Sequence, residues 1–143
     1  MIRKLLLFAL VIGVVASNVT AQDLKASAVP AAVKAALVKK YPASSKVLWE
    51  KENGNYEANW GGKSGEDNSV VFTPAGTFME IVNLIPVSQL PAKVAPYVKD
   101  HYKGAKIAEA GKATDAKGTL TYEAELKGMV LIFDSKGNFL KKE

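Results

Sequence analysis

Two stretches of this chain, 61 residues apart, are built to one pattern. Val29-Pro30-Ala31 with Val33, Leu37 and Tyr41 recurs as Leu90-Pro91-Ala92 with Val94, Val98 and Tyr102. Tyr56-Glu57-Ala58 recurs as Tyr122-Glu123-Ala124, and Phe72, Gly76 and Phe78 recur as Phe133, Gly137 and Phe139. A duplicated supersecondary unit restricts the fold far more than composition does, because each copy must form the same elements in the same order.

Within each copy the helix comes first. Apolar residues at Val29, Val33, Ala36 and Leu37, and at Leu90, Val94, Tyr97 and Val98, lie on one face of a 3.6-residue period. Ser27 and Ser88 stand three residues before a proline in both copies and read as N-caps. The first helix is predicted over Ala28–Lys40, ending at Tyr41-Pro42 because a residue before proline is pushed out of the α region. Pro96 falls inside the second helical pattern and predicts a kink there.

Strands follow. Tyr56, Ala58 and Trp60 alternate with Asn55, Glu57 and Asn59, and Leu120, Tyr122, Ala124 and Leu126 alternate with Thr121, Glu123 and Glu125. Period-two alternation predicts one face against the helices and one wet face. Asn68–Thr73 and Thr77–Asn83 flank Pro74-Ala75-Gly76, and Gly128–Asp134 and Asn138–Lys142 flank Ser135-Lys136-Gly137, as hairpins do. The expected fold class is α+β: a tandem duplication of an α-β-β-β-β unit (repeats 27–83 and 88–143) in one antiparallel sheet of about eight strands, with two helices on one face.

The ends and the composition set the compartment. Arg3 and Lys4 precede an apolar run, Leu5–Ala16, and small residues at Val19-Thr20-Ala21 complete the pattern of a cleaved secretory signal over residues 1–21. The run is too short to span a bilayer, so no stable membrane insertion is expected after cleavage. Residues 22–143 then form a single duplicated domain whose stability comes from packing, since there is no cysteine for disulfides, thiol catalysis or thiolate-bound metal. The net charge of +5 falls to +3 without Arg3 and Lys4, and Arg3 is the only arginine, which argues against nucleic acid as a partner.

Val87-Ser88-Gln89-Leu90-Pro91 with Val94 and Tyr102, the two Tyr-Glu-Ala strands and the closing Phe133-Asp134-Ser135-Lys136-Gly137-Asn138-Phe139-Leu140 resemble the PepSY-like family of β-lactamase-inhibitor-like exported bacterial proteins. The resemblance implies a tandem repeat with a sheet open on one face, and it carries no catalytic residues. Shape alone does not establish inhibition.

The chemistry-bearing residues have structural explanations. The single histidine, His101, sits at a helix end, and a haem role for it with Met79 or Met129 competes with ordinary packing. Glu57 and Glu123, as repeat equivalents, could form a carboxylate pair for glycan hydrolysis, but repetition favours a soluble face. Asp134 with Gly137 and Asn138 offers too few oxygens for calcium and reads as a hairpin turn. Trp49 has no apolar counterpart in the second copy, where Glu109 stands near the matching position, and so is the candidate exposed anchor. The chain thus reads as a non-enzymatic, periplasmic or secreted binding module, without cofactor or metal. It engages an extracytoplasmic protein or peptide through Trp49, Glu57, Asn59, Glu123 and Glu125. A small-ligand (haem or glycan) binder, or less readily a carboxylate-dependent glycan hydrolase, are the alternatives.

Overall fold

The computed structural model describes residues 22–143; the expected signal segment, residues 1–21, lies outside the described residues. In chain order the elements are β1 (Gln22–Leu24), α1 (Ala31–Lys40), β2 (Leu48–Glu52), β3 (Asn55–Trp60), β4 (Asn68–Phe72), β5 (Phe78–Ile85), α2 (Val94–His101), β6 (Glu109–Asp115), β7 (Leu120–Leu126), β8 (Met129–Asp134) and β9 (Phe139–Lys142). Single turns of 3-10 helix, Ala26–Ala28 and Val87–Gln89, precede the two α-helices. The strands follow one another in sequence order through a nine-stranded antiparallel sheet. The strand beyond the eight expected is β1, whose Leu24 pairs with Trp49 of β2. The chain divides into two compact units, one ending at Ile81 and the other running from Val82 to Glu143.

The serines do not cap the α-helices. They lie in the 3-10 turns, and α1 begins after Pro30 with no side-chain cap. The prolines are the cause: they hold Val29 at φ −86°, ψ 131° and Leu90 at φ −63°, ψ 147°, extended geometry that separates each serine from the helix behind it. The predicted kink in α2 is also absent for a simple reason. The helix starts at Val94, so Pro96 falls in its first turn, where an N–H would have had no intrahelical partner. The predicted stop of α1 holds, with Tyr41 leaving helical geometry before Pro42.

In the first unit, α1 buries Val33 and Leu37, one helical turn apart, against Trp49, Tyr56, Ala58, Val70 and Phe72. In the second, α2 buries Val94 and Val98 against Ala124, Leu126, Leu131 and Phe133. These are the same positions of the repeat: Val33 matches Val94, Leu37 matches Val98, Ala58 matches Ala124 and Phe72 matches Phe133. The hairpin glycines belong to this core design. Gly76 and Gly137 both have φ +80°, and a Cβ on either would lie 2.6 Å from the Ala32 carbonyl oxygen or 2.8 Å from Pro91 Cβ. Each β-hairpin tip therefore rests on the start of its unit's helix, where only glycine meets both the backbone angle and the space. Asn53-Gly54, with φ values of 48° and 81°, closes the β2–β3 hairpin as a two-residue turn of the kind that matches strand twist.

Candidate functional site

Register sorts the candidate residues onto faces. Trp49 pairs with Ala58, and both belong to the core under α1. Trp49 is only 6% exposed, so the expected exposed anchor is a core residue, on the opposite face of the sheet from Glu57 and Asn59. The misreading came from a one-residue error in matching the copies. Since Ala110 pairs with Ala124 as Trp49 pairs with Ala58, the counterpart of Trp49 is Ala110 rather than Glu109. A small residue in one copy and a large one in the other fill the same layer. Tyr56, Ala58 and Trp60 face the helix as alternation predicted, with Trp60 against Tyr41 at 5.4 Å between ring centres.

The helix-free face of the first unit carries Glu50 and Glu52 on β2, Glu57 and Asn59 on β3, and Ser69 and Val71 on β4. All six are buried. Glu50 and Glu57 are direct cross-strand partners, and Asp23 of β1 stands opposite Glu50 in the same row. The Ser69 hydroxyl donates a short hydrogen bond to Glu57 Oε1. Burial pushes the Glu57 carboxyl up to about 7, the charges of Glu50 and Glu52 push the same way, and the hydrogen bonds from Ser69 and Asn59 oppose them. The expectation that Glu57 and Asn59 line a wet face is corrected: they are 5% and 6% exposed. Alternation identifies which face a residue occupies, but not whether water reaches it. Glu50, Glu52 and Ser69 went unremarked in the sequence, although Trp49-Glu50-Lys51-Glu52 shows the same alternation.

The helix-free face of the second unit holds Glu109, Gly111 and Ala113 on β6, Thr121, Glu123 and Glu125 on β7, and Val130 and Ile132 on β8. Glu123 has no exposed surface and Glu125 is half-buried. The Glu123 carboxylate closes over Gly111, where an added Cβ would lie 3.4 Å from Glu123 Oε2 and 2.9 Å from Val82 Cγ1. Glu109 and Glu125 are cross-strand partners. Glu123 cannot reach a glycan from this position, which removes the geometric basis for a hydrolase built on it.

The strand lysines respect this division. Lys51 lies over the Tyr56 ring at 5.5 Å and Lys112 pairs with Tyr122, so both project on the helix side. In β1 to β4 the residues of the helix-free face include four acidic side chains, Asp23, Glu50, Glu52 and Glu57, and no lysine.

The remaining sequence candidates have structural roles. His101 packs against Tyr97 in a tilted arrangement, 4.2 Å between ring centres, and Tyr97 stacks in turn on Phe139 at 4.8 Å. Met129 packs against the second unit's core. Asp134 Oδ1 accepts from the backbone N–H groups of Lys136 and Asn138, and Asp115 Oδ1 likewise accepts from those of Lys117 and Thr119. These hydrogen bonds hold both aspartates below the usual carboxylate range, with the turn's own N–H groups in the place a cation would take. Among the described residues no group of three or more His, Cys, Asp or Glu side chains is arranged to hold a metal ion, and no helix is long and apolar enough to cross a membrane.

A family model described as "Putative beta-lactamase-inhibitor-like, PepSY-like" matches residues 17–63 and again residues 63–141. The two matched segments are adjacent, consistent with a tandem repeat. Among solved structures, a DUF2874 family protein from Bacteroides uniformis is similar with a TM-score of 0.67 at 20% identity, over 80% of this chain and 88% of that one. A protein described as "putative periplasmic" from Bacteroides eggerthii has the same TM-score and identity over 80% and 87%. A BLIP-like protein from Bacteroides fragilis has a TM-score of 0.61 at 18% identity, over 80% and 85%. At these identities the likeness is one of fold. No curated protein matches the sequence.

Proposed function

The chain belongs to the PepSY-like family of β-lactamase-inhibitor-like proteins, and from that premise we propose that it is a non-enzymatic periplasmic module that binds a protein or peptide partner through the helix-free face of its sheet. The observation that carries this reading is the segregation of charge on β1 to β4: Asp23, Glu50, Glu52 and Glu57 on one face, with Lys51 turned to the other. Packing does not require carboxylates there, and taking Glu50, Glu52 and Glu57 out of water carries a desolvation cost. A face that retains costly acidic groups is better explained by recognition than by folding.

The exposed members of that face are Asp23 and Leu48, the latter paired with Asn59. They are the first points a partner would meet, with the buried carboxylates setting the potential beneath them. Glu57 and Asn59 then act as the floor of the surface, while Trp49 acts only through the core. The export pattern of residues 1–21 and the likeness to the "putative periplasmic" protein support the compartment.

The test is capture from a periplasmic extract by immobilised protein, with bound species identified after cross-linking. Asp23→Lys and Leu48→Glu are expected to abolish capture of a discrete partner at unchanged melting temperature. Val38→Glu, at a still more exposed apolar site on α1, should have no effect. Identical capture by all four proteins would refute the reading.

A further inference from the structure

We propose that the outer edge of β9 is a strand-addition site, on which an acidic extended segment of an extracytoplasmic protein pairs as an added antiparallel strand. β9 is last in the sheet order, so among the described residues no strand covers that edge. In the first copy the equivalent strand is β5, since Phe78 matches Phe139, and there β6 follows on the far side. The repeat thus contains an occupied form of the edge that β9 leaves open.

The hydrogen-bond pattern of β9 fixes which groups are offered. Val130 and Glu143 exchange both backbone hydrogen bonds, at 3.0 and 2.9 Å. Hydrogen-bonded and non-hydrogen-bonded pairs alternate along an antiparallel ladder. The next pair, Leu131 with Lys142, is therefore non-hydrogen-bonded, and the N–H and C=O of Lys142 turn to the open edge. Leu140 on the same strand is 53% exposed. Outward backbone groups and an apolar side chain together are what an added strand engages.

Charge selects the occupant. β9 and its turn carry Lys136, Lys141 and Lys142, all exposed. The neighbouring acids are engaged: Glu143 is ion-paired to Lys141, and Asp134 accepts from the N–H groups of its own turn. Opposite charges across a ladder stabilise it and like charges oppose it, so an acidic strand is favoured while a second β9 would set lysine against lysine. The other end of the sheet is guarded against copies of this chain as well. There β1 covers the outer side of β2 and leaves an edge of only three residues. Short edge strands and edge lysines discourage self-association, and neither bars a foreign acidic strand.

The probe is a labelled peptide of alternating glutamate and valine, with a lysine–valine peptide as control, followed by fluorescence anisotropy and amide NMR of the protein. The acidic peptide is expected to shift the Phe139–Glu143 amides and to protect the Lys142 N–H from exchange, and the basic peptide to do neither. Lys142→Pro removes the outward N–H without breaking a ladder bond to β8, so it should abolish binding at unchanged melting temperature. If Lys142→Pro lowers the melting temperature, Lys142→Glu decides, because it keeps the backbone and should weaken binding about tenfold. Val38→Glu should bind as the wild type does. Capture through the helix-free face depends on Asp23 and Leu48 and not on Lys142, so the two readings fail separately. No binding, equal binding of both peptides, shifts confined to β2–β4, or a self-associated protein whose Lys142 N–H is already protected would overturn the proposal.

Discussion

Glu50 and Glu57 face each other across neighbouring strands, and at the equivalent place in the second unit Gly111 faces Glu123. The two copies keep the same central glutamate and solve its environment differently. In the first unit a second carboxylate stands opposite and Ser69 donates to Glu57. In the second the opposing side chain is deleted, and Glu123 lies against bare backbone with Val82 beside it.

The pH dependence of stability follows from Glu57. Its folded value of about 7 lies above the unfolded value of 4.5, so its contribution is fully present below about 4.5 and is lost as pH rises through 7. One pKa unit is worth about 1.4 kcal/mol, so the loss should reach roughly 3 kcal/mol and level off above pH 8. Asp115 and Asp134 act in the opposite sense, their contribution being lost as pH falls through their lowered values in the acid range. Urea unfolding at a series of pH values should show the neutral decline in the wild type and a flat response over that range in Glu57→Gln.

Gly111 should resist any side chain. Its backbone lies outside the left-handed region, so space alone decides, and the added Cβ would sit 2.9 Å from Val82 Cγ1 in a buried position. Overpacking of this kind costs about 1–3 kcal/mol, which Gly111→Ala should show as a lower urea midpoint with unchanged slope. Gly111→Glu, which writes the first copy's residue into the second, should be worse.

Trp49→Ala should destabilise the protein rather than selectively remove binding. The ring is buried with Val33, Leu37 and Ala58, and large-to-small substitutions of such residues cost about 3–5 kcal/mol. A melting temperature within a degree of wild type would contradict this placement.

The positive-φ glycines should separate into two groups. Gly76 and Gly137 have the helix start against the missing Cβ, whereas Gly118 and Gly128 have nothing within 4 Å. Alanine at the open pair should cost only the backbone strain, about 1 kcal/mol, and alanine at the packed pair clearly more. Four thermal or urea melts check the ordering.

Much of the first unit could be read from its residues. Alternation placed Tyr56, Ala58 and Trp60 toward α1, and glycine placed the hairpin tips, because both signals depend on neighbours close in sequence. The serine caps failed for an equally local reason, since the following proline forces the intervening residue to stay extended. Trp49 failed differently. Its partner, Ala58, follows from strand register, and a one-residue offset between the copies reversed its face.

By itself the sequence determined the duplication, the order of helix and strands, and the two faces of each strand, all of which are written in periods of two and 3.6 residues. Tertiary structure alone decided that the helix-free face buries its carboxylates, that Glu50 stands opposite Glu57, and that Gly111 replaces that partner beside Glu123. The reason is physical: a strand's own pattern selects a side, but the depth of a side chain and the charge across from it depend on segments brought together only by folding.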